Sequence, residues 1–196
     1  MAKKLKQLQE QYPVVTVTGP RQSGKTTLCR SVFPKHSYYS LEDPEVREYA
    51  KSDPRGFLGQ AERMIIDEVQ KVPELTSYIQ GIVDQEKRKG HYILTGSHQF
   101  ELLNIVSQSL AGRTALFKLL PFSRKELATE LSAKELIWKG FYPRIWDQKL
   151  NPTEAMSFYV NTYLEKDLRE LKDIKNLSQF ESFLKLCASH IGQMVN

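Results

Sequence analysis

Residues Gly19-Pro20-Arg21-Gln22-Ser23-Gly24-Lys25-Thr26 satisfy the pattern G-x-x-x-x-G-K-[ST] in full, a spacing that lets backbone amides close around a chain of phosphates. Gly19 and Gly24 permit backbone angles and close approaches that a Cβ obstructs, so successive N–H groups can curl around anionic oxygens. Lys25 adds a point charge on a flexible stem for the β and γ phosphates. The Thr26 hydroxyl is the expected protein ligand of Mg²⁺, an ion that keeps much of its water and takes only one or two protein oxygens besides phosphate. Thr27 continues as a helix toward Phe33, stopped before Pro34, whose free N-terminal N–H groups and dipole face the same anion. Gly19 through Thr27 are therefore the expected nucleotide contacts. The competing reading, a plain glycine turn with an exposed lysine, does not require the complete pattern between a strand and a helix.

Downstream, Met64-Ile65-Ile66-Asp67-Glu68 reads as an apolar strand ending in two acids, where an open α/β sheet presents its ligand crevice. Asp67 is the expected partner of Mg²⁺, directly or through water. Glu68, one residue further and displaced from the metal, is placed to accept a proton from an attacking water. The alternative is that both acids merely cap the segment leading to Pro73. His91 to Thr95 reads as another strand, and its end, Thr95-Gly96-Ser97, is expected beside the γ phosphate. Ser97, with Thr95, is a candidate polar sensor, and it also fits as N-cap of the helix through Phe100, Leu103 and Val106. Arg113 follows in Leu110-Ala111-Gly112-Arg113-Thr114. It is a candidate to neutralise transition-state charge within the chain or across a subunit interface, against the plain reading of a surface arginine. Lys25, Glu68, Ser97 and Arg113 thus form the expected catalytic set.

These residues need a parallel sheet. Val14 to Thr18 is β-branched throughout, as a strand buried on both faces requires. Tyr38 to Leu41 reads as a second strand, and Asp43-Pro44 and Asp53-Pro54 each pair an N-cap with a following proline. Leu75, Tyr78, Ile79, Ile82 and Val83 mark a helix closed at Gly90, and Leu116 to Leu120 alternates. The βα alternation predicts an α/β phosphate-loop core over residues 1–120, a parallel sheet flanked by helices. Beyond Pro121 the pattern turns helical. Ser123 to Glu126 and Ser132 to Glu135 fit capping boxes, with Gly140 closing the second, and Asn151-Pro152 opens a long helix carrying Met156, Val160, Tyr163, Leu164, Leu168 and Leu171. Residues 121–196 are expected to form a small helical lid and the start of a further region.

Taken together, the segments P-V-V-T-V-T-G-P-R-Q-S-G-K-T-T-L, Y-Y-S-L-E-D-P, I-I-D-E-V-Q-K-V-P, I-L-T-G-S, S-L-A-G-R-T, L-P-F-S, G-F-Y-P-R-I and T-Y-L-E-K-D-L-R resemble prokaryotic AAA+-type ATPases of a two-domain kind. In that group an uncharacterised C-terminal domain is often described as nuclease-like. The resemblance implies an ATP-binding core with Lys25, Thr26, Asp67 and Glu68 in the roles above, and Ser97 and Arg113 at positions read as sensor and phosphate-facing arginine. It also implies that the C-terminal region is shortened here, so no nuclease role carries over. Relatives of this kind often assemble, which makes a homo-oligomer one of the implied partners beside ATP and ADP.

Composition narrows the alternatives. A chain of 196 residues can bury about 70% of its unfolded surface. No apolar stretch is long enough to span a bilayer and the start lacks a secretion signal, so the expected location is cytoplasmic with no membrane partner. Cys29 and Cys187 suggest neither disulfide nor metal site and are expected to be packed thiols, and the scattered histidines form no metal cluster. The net charge is +5, with seven basic side chains against Glu10 alone in residues 1–36. Nucleotide phosphate accounts for part of that excess, and nucleic acid is compatible with it but not indicated. The nearest string to a guanine-reading element, Ala50-Lys51-Ser52-Asp53, precedes the metal strand, which disfavours GTP. No sequence feature marks the acceptor pocket of a small-molecule kinase. The leading expectation is Mg²⁺-dependent ATP hydrolysis, and its rival is a nucleotide-dependent switch or DNA-associated regulatory module that hydrolyses slowly.

Overall fold

The computed structural model describes residues 1–97, 99–163 and 177–191. Helix α1 (Ala2–Gln11) leads into strand β1 (Val14–Thr18), buried along its whole length, and helix α2 (Lys25–Val32). Strand β2 (Ser37–Ser40), helices α3 (Pro44–Ser52) and α4 (Pro54–Leu58) and strand β3 (Met64–Asp67) follow. A 3-10 turn (Val69–Lys71), helix α5 (Leu75–Glu86), strand β4 (Tyr92–Thr95), helix α6 (Gln99–Ser109) and strand β5 (Thr114–Lys118) complete the α/β part. The aspartates before both prolines do cap their helices. Asp43 accepts from the Glu45 and Val46 amides and Asp53 from the Gly56 amide, satisfying donors that have no partner inside the helix.

All strand pairs are parallel, in the order β2-β3-β4-β1-β5. The two faces carry different side chains because alternate residues point opposite ways. Val15, Val17, Ile65, Ile93 and Phe117 pack with Leu5, Cys29, Val32 and Phe33. Val14, Met64, Ile66, Tyr92 and Leu94 pack with Phe57, Leu75, Ile79, Leu102 and Val106. With hydrophobic side chains on both sides, the strands need not alternate in polarity. The hydroxyls on β1 and β5 satisfy one another, Thr16 Oγ1 and Thr114 Oγ1 lying 2.9 Å apart.

Helix α1 is a finding beyond the sequence reading, which begins the sheet at Val14 and assigns no element before it. Leu5 is fully buried and Leu8 packs beside it, an i, i+3 pair too short to stand out among polar neighbours.

By its contacts the chain divides into two units, Met1–Thr129 with Phe141–Pro143, and Glu130–Gly140 with Arg144–Asn196. Helix α7 (Arg124–Leu127) belongs to the first; α8 (Ala133–Lys139), most of α9 (Pro143–Asp147), α10 (Pro152–Tyr163) and α11 (Leu177–Ser189) belong to the second. Both expected capping boxes form, at Ser123 with Glu126 and at Ser132 with Glu135. In the second unit Trp146 Nε1 donates to the Gly140 carbonyl at 3.0 Å and Lys139 Nζ lies 3.8 Å from the Trp146 ring centre. The expected continuation through Leu164, Leu168 and Leu171 lies outside the described residues. Cys29 is buried as expected, but Cys187 is exposed. The apolar pattern on α11 has no described partner to cover it, and Phe183 and Leu186 beside Cys187 are exposed as well.

Because Leu5 is the fully buried residue of α1, Leu5→Ala is expected to cost about 2–4 kcal/mol through lost transfer energy and the cavity left behind. Urea denaturation followed by circular dichroism reads this as a lower midpoint at unchanged slope. An unchanged midpoint would show that α1 is not part of the fold's core.

Candidate active site

The register of the sheet places the ends of β1, β3 and β4 at one edge. Val17 is level with Thr95 and Ser40 with Asp67. Strand β4 lies between β1 and β3, so Thr95 stands between the glycine-rich loop and the acids. Helix α2 leaves β1 toward the face that holds Leu5 and Cys29, whereas Leu75 and Ile79 of α5 and Leu102 and Val106 of α6 pack on the other. Connections that part to opposite faces open a crevice at the carboxyl ends of the strands.

The loop is shaped by three residues with positive φ: Gly19 (144°), Gln22 (59°) and Gly24 (87°). At Gly19 any Cβ would overlap the Leu119 carbonyl oxygen. Gln22 carries the left-handed conformation without being glycine, at a cost on the order of 1 kcal/mol. The Ser23 hydroxyl is buried with no hydrogen-bond partner among the described residues, an orphaned polar atom inside the loop. Lys25 is only 6% exposed; its Nζ donates to the Gly19 and Pro20 carbonyls, each at 3.0 Å. Burial holds this ammonium below the usual lysine range, opposed by the charges of Glu68 and Asp67. The loop amides and a desolvated cation thus face the same crevice, which suits a polyanion.

Asp67, 7% exposed, is held from several elements. Its Oδ2 accepts from Thr26 Oγ1 at 2.7 Å and from the Tyr38 hydroxyl at 3.0 Å. Its Oδ1 accepts from Thr95 Oγ1 and from the Glu68 amide, the latter at 3.1 Å. Burial and the neighbouring Asp67 charge push the Tyr38 hydroxyl up to about 12, so it stays a proton donor at neutral pH. The Arg30 guanidinium lies 4.8 Å above the Tyr38 ring. A cavity of about 580 Å³ lined by Thr26, Thr27, Arg30, His36 and Tyr38 gives access along α2. A hydroxyl and a carboxylate side by side are hard oxygen donors, and with the orphaned Ser23 hydroxyl and the glycine cradle they fit Mg²⁺ bound with a polyphosphate.

Glu68 adopts left-handed backbone angles, φ 56° and ψ 46°, which turn its side chain across the end of β4. Its Oε2 accepts from the Ser97 amide at 3.2 Å, from Ser97 Oγ at 2.9 Å and from Gln70 Nε2. The structure therefore brings together Lys25, Thr26, Asp67, Glu68, Thr95 and Ser97. Sequence reasoning missed Tyr38 and Gln70. Both lie in segments that carried the family resemblance, but only the packing shows which atoms they touch.

Arg113 is not brought to this crevice. Its carbonyl accepts from the Val14 amide at the start of β1, a strand length of on the order of 15 Å from the loop. Its guanidinium makes a bidentate pair with Asp84, Nε to Oδ1 at 2.6 Å and Nη2 to Oδ2 at 2.7 Å. Within one chain this side chain does not reach the phosphate loop, because the residue opens β5 at the opposite edge of the sheet.

Gly19→Ala is expected to destabilise the unliganded chain by about 1–3 kcal/mol, since the new methyl group must displace the loop from the Leu119 carbonyl. Thermal or urea unfolding without ligand measures this. A midpoint equal to the parent's would mean the loop moves away at no cost.

Residues 11–128 match the family described as AAA domain, and residues 130–196 match a domain of unknown function. Uncharacterized proteins of Mycobacterium tuberculosis and Mycobacterium bovis are each 32% identical over 176 residues, covering 87% of this chain. The chain spans 39% of the length of these relatives. Among solved structures, a Walker-type ATPase of Pyrococcus abyssi superposes with a TM-score of 0.52 at 15% identity, covering 88% of this chain and 73% of that one; at that identity the likeness shows the fold. The C-terminal match assigns no nuclease. With a glycine-rich loop between β1 and α2, a parallel five-stranded sheet and a family match over more than half its length, the chain belongs to the AAA domain family and carries its nucleotide-binding, ATPase-type core.

Proposed function

We propose that this chain binds ATP with Mg²⁺ and hydrolyses it at the crevice between β1, β4 and β3. The observation that carries the reading is the 2.7 Å hydrogen bond from Thr26 to Asp67, because it joins the loop to the acidic strand with Glu68 adjoining. Mg²⁺ would be held by Thr26 and Asp67, and when bound it supplies positive charge against the phosphates. The Thr26 hydroxyl can keep its proton on Asp67 while offering a lone pair, as a hydroxyl has one donor and two acceptor sites. Lys25 exchanges the Gly19 and Pro20 carbonyls for phosphate oxygens, and the loop amides bind the β phosphate.

Glu68 acts as general base. A water O–H bond breaks, its proton passes to the Glu68 carboxylate, and the water oxygen bonds to the γ phosphorus. The bond to the β–γ bridging oxygen breaks, leaving ADP and phosphate. Thr95 fixes Asp67, and Ser97 fixes Glu68. Arg113 supplies charge only to the site of a second copy, a role supported by its place at the far sheet edge and the solvent exposure of its Asp84 partner.

Calorimetry is expected to show ATP binding with Mg²⁺ that Lys25→Ala abolishes. Glu68→Gln is expected to keep ATP affinity and lose turnover by about 10²-fold or more, read as steady-state phosphate release. If parent and Glu68→Gln both bind ATP and neither turns it over, hydrolysis fails for this chain and a nucleotide-dependent switch takes its place.

The cross-subunit role of Arg113 has its own test. Arg113→Ala and Glu68→Gln chains are each expected to be inactive alone, and their mixture to regain turnover as each supplies what the other lacks. A mixture as inactive as its parts removes Arg113 from the site.

A further inference from the structure

Gln70 carries a primary amide yet is only 5% exposed. It lies in the 3-10 turn that follows Glu68, and the left-handed backbone at Glu68 folds this turn back over the end of β4. Space for the amide exists because residue 96 is glycine. A Cβ there would overlap Gln70 Oε1 and sit 3.0 Å from Leu102 Cδ2. From this slot Gln70 Nε2 donates to Glu68 Oε2, the same oxygen that accepts the Ser97 amide and hydroxyl. Three donors thus converge on one carboxylate oxygen, Glu68 Oε2, and none of these three bonds engages Glu68 Oε1.

We propose that Gln70 is a positioning residue for hydrolysis, clamping Glu68 Oε2 so that Oε1 is the oxygen presented to the attacking water. The inference rests on the reading of Glu68 as general base. A carboxylate turns easily about its terminal torsion, where the energy wells are broad. A proton acceptor must hold its place within hydrogen-bond reach of the water it activates. Ser97 donates to Oε2 through its amide and its hydroxyl, and the Gln70 amide adds a third donor that holds the carboxylate against rotation. An amide suits this task because it donates a hydrogen bond without adding a charge beside Glu68.

The test measures phosphate release and ATP and ADP affinity for Gln70→Ala and Gln70→Leu, each in the parent and the Glu68→Gln background. The leucine variant fills a similar buried volume, which keeps the comparison open if the alanine variant folds poorly. In the parent background kcat is expected to fall roughly 10- to 100-fold, with KM for ATP and ADP affinity within about twofold. In the Glu68→Gln background the same replacement is expected to change residual turnover by less than about twofold, because both changes act through one carboxylate. Unchanged or increased turnover in Gln70→Leu overturns the proposal, as does an equal loss in both backgrounds. If Glu68→Gln turns over like the parent, the general-base reading fails and takes this one with it. If Glu68→Gln is inactive while Gln70→Leu is not, the clamp alone is wrong.

Discussion

A single buried carboxylate ties the carboxyl edge of this sheet together. Asp67 accepts hydrogen bonds from Thr26 on α2, Tyr38 on β2, Thr95 on β4 and the amide of Glu68. A carboxylate has about four lone-pair sites, and these donors engage both of its oxygens. Its negative charge is tolerated at 7% exposure only because each oxygen is so engaged. Any element that shifts loses a charge-assisted bond, and the separate strands and loop are thereby held to one geometry.

Opposite the carboxylate stands a cation in a similar predicament. The Lys25 ammonium is buried against two carbonyl oxygens and held below its ordinary range by that burial, with Glu68 and Asp67 pulling the other way. A desolvated charge paired mainly with dipoles has more to gain from an incoming phosphate than a solvated one does. The loop stores further cost in the left-handed Gln22 and in the unpartnered Ser23 hydroxyl. A fold that concentrates strain and unsatisfied polar groups in one crevice is stabilised most by a ligand that fits there.

The same sheet separates charges that the linear order suggested could meet. Loops after β1, β3 and β4 share the carboxyl edge, whereas Arg113 precedes β5 and is pinned to Asp84 at the opposite edge. In a parallel sheet every strand runs the same way, so residues that precede a strand and residues that follow one stand a strand length apart. Direction along the chain, rather than nearness in sequence, decides which polar groups face the nucleotide side.

Much of this was legible beforehand because it depends on local chemistry. The loop pattern, the β-branched run Val14–Thr18, the aspartate-proline caps and both capping boxes act over a few residues, and each formed where its spacing required. Helix α1 escaped notice because one buried leucine among polar neighbours carries little periodic signal. That Tyr38 would touch Asp67, that Gln70 would reach Glu68 through the space left by Gly96, and that Arg113 would point away depended on strand order. Nothing within any one segment encodes that order. The residue types able to handle a phosphate were thus set by sequence alone, while their convergence was set by packing, because contacts between distant segments exist only once the sheet has assembled.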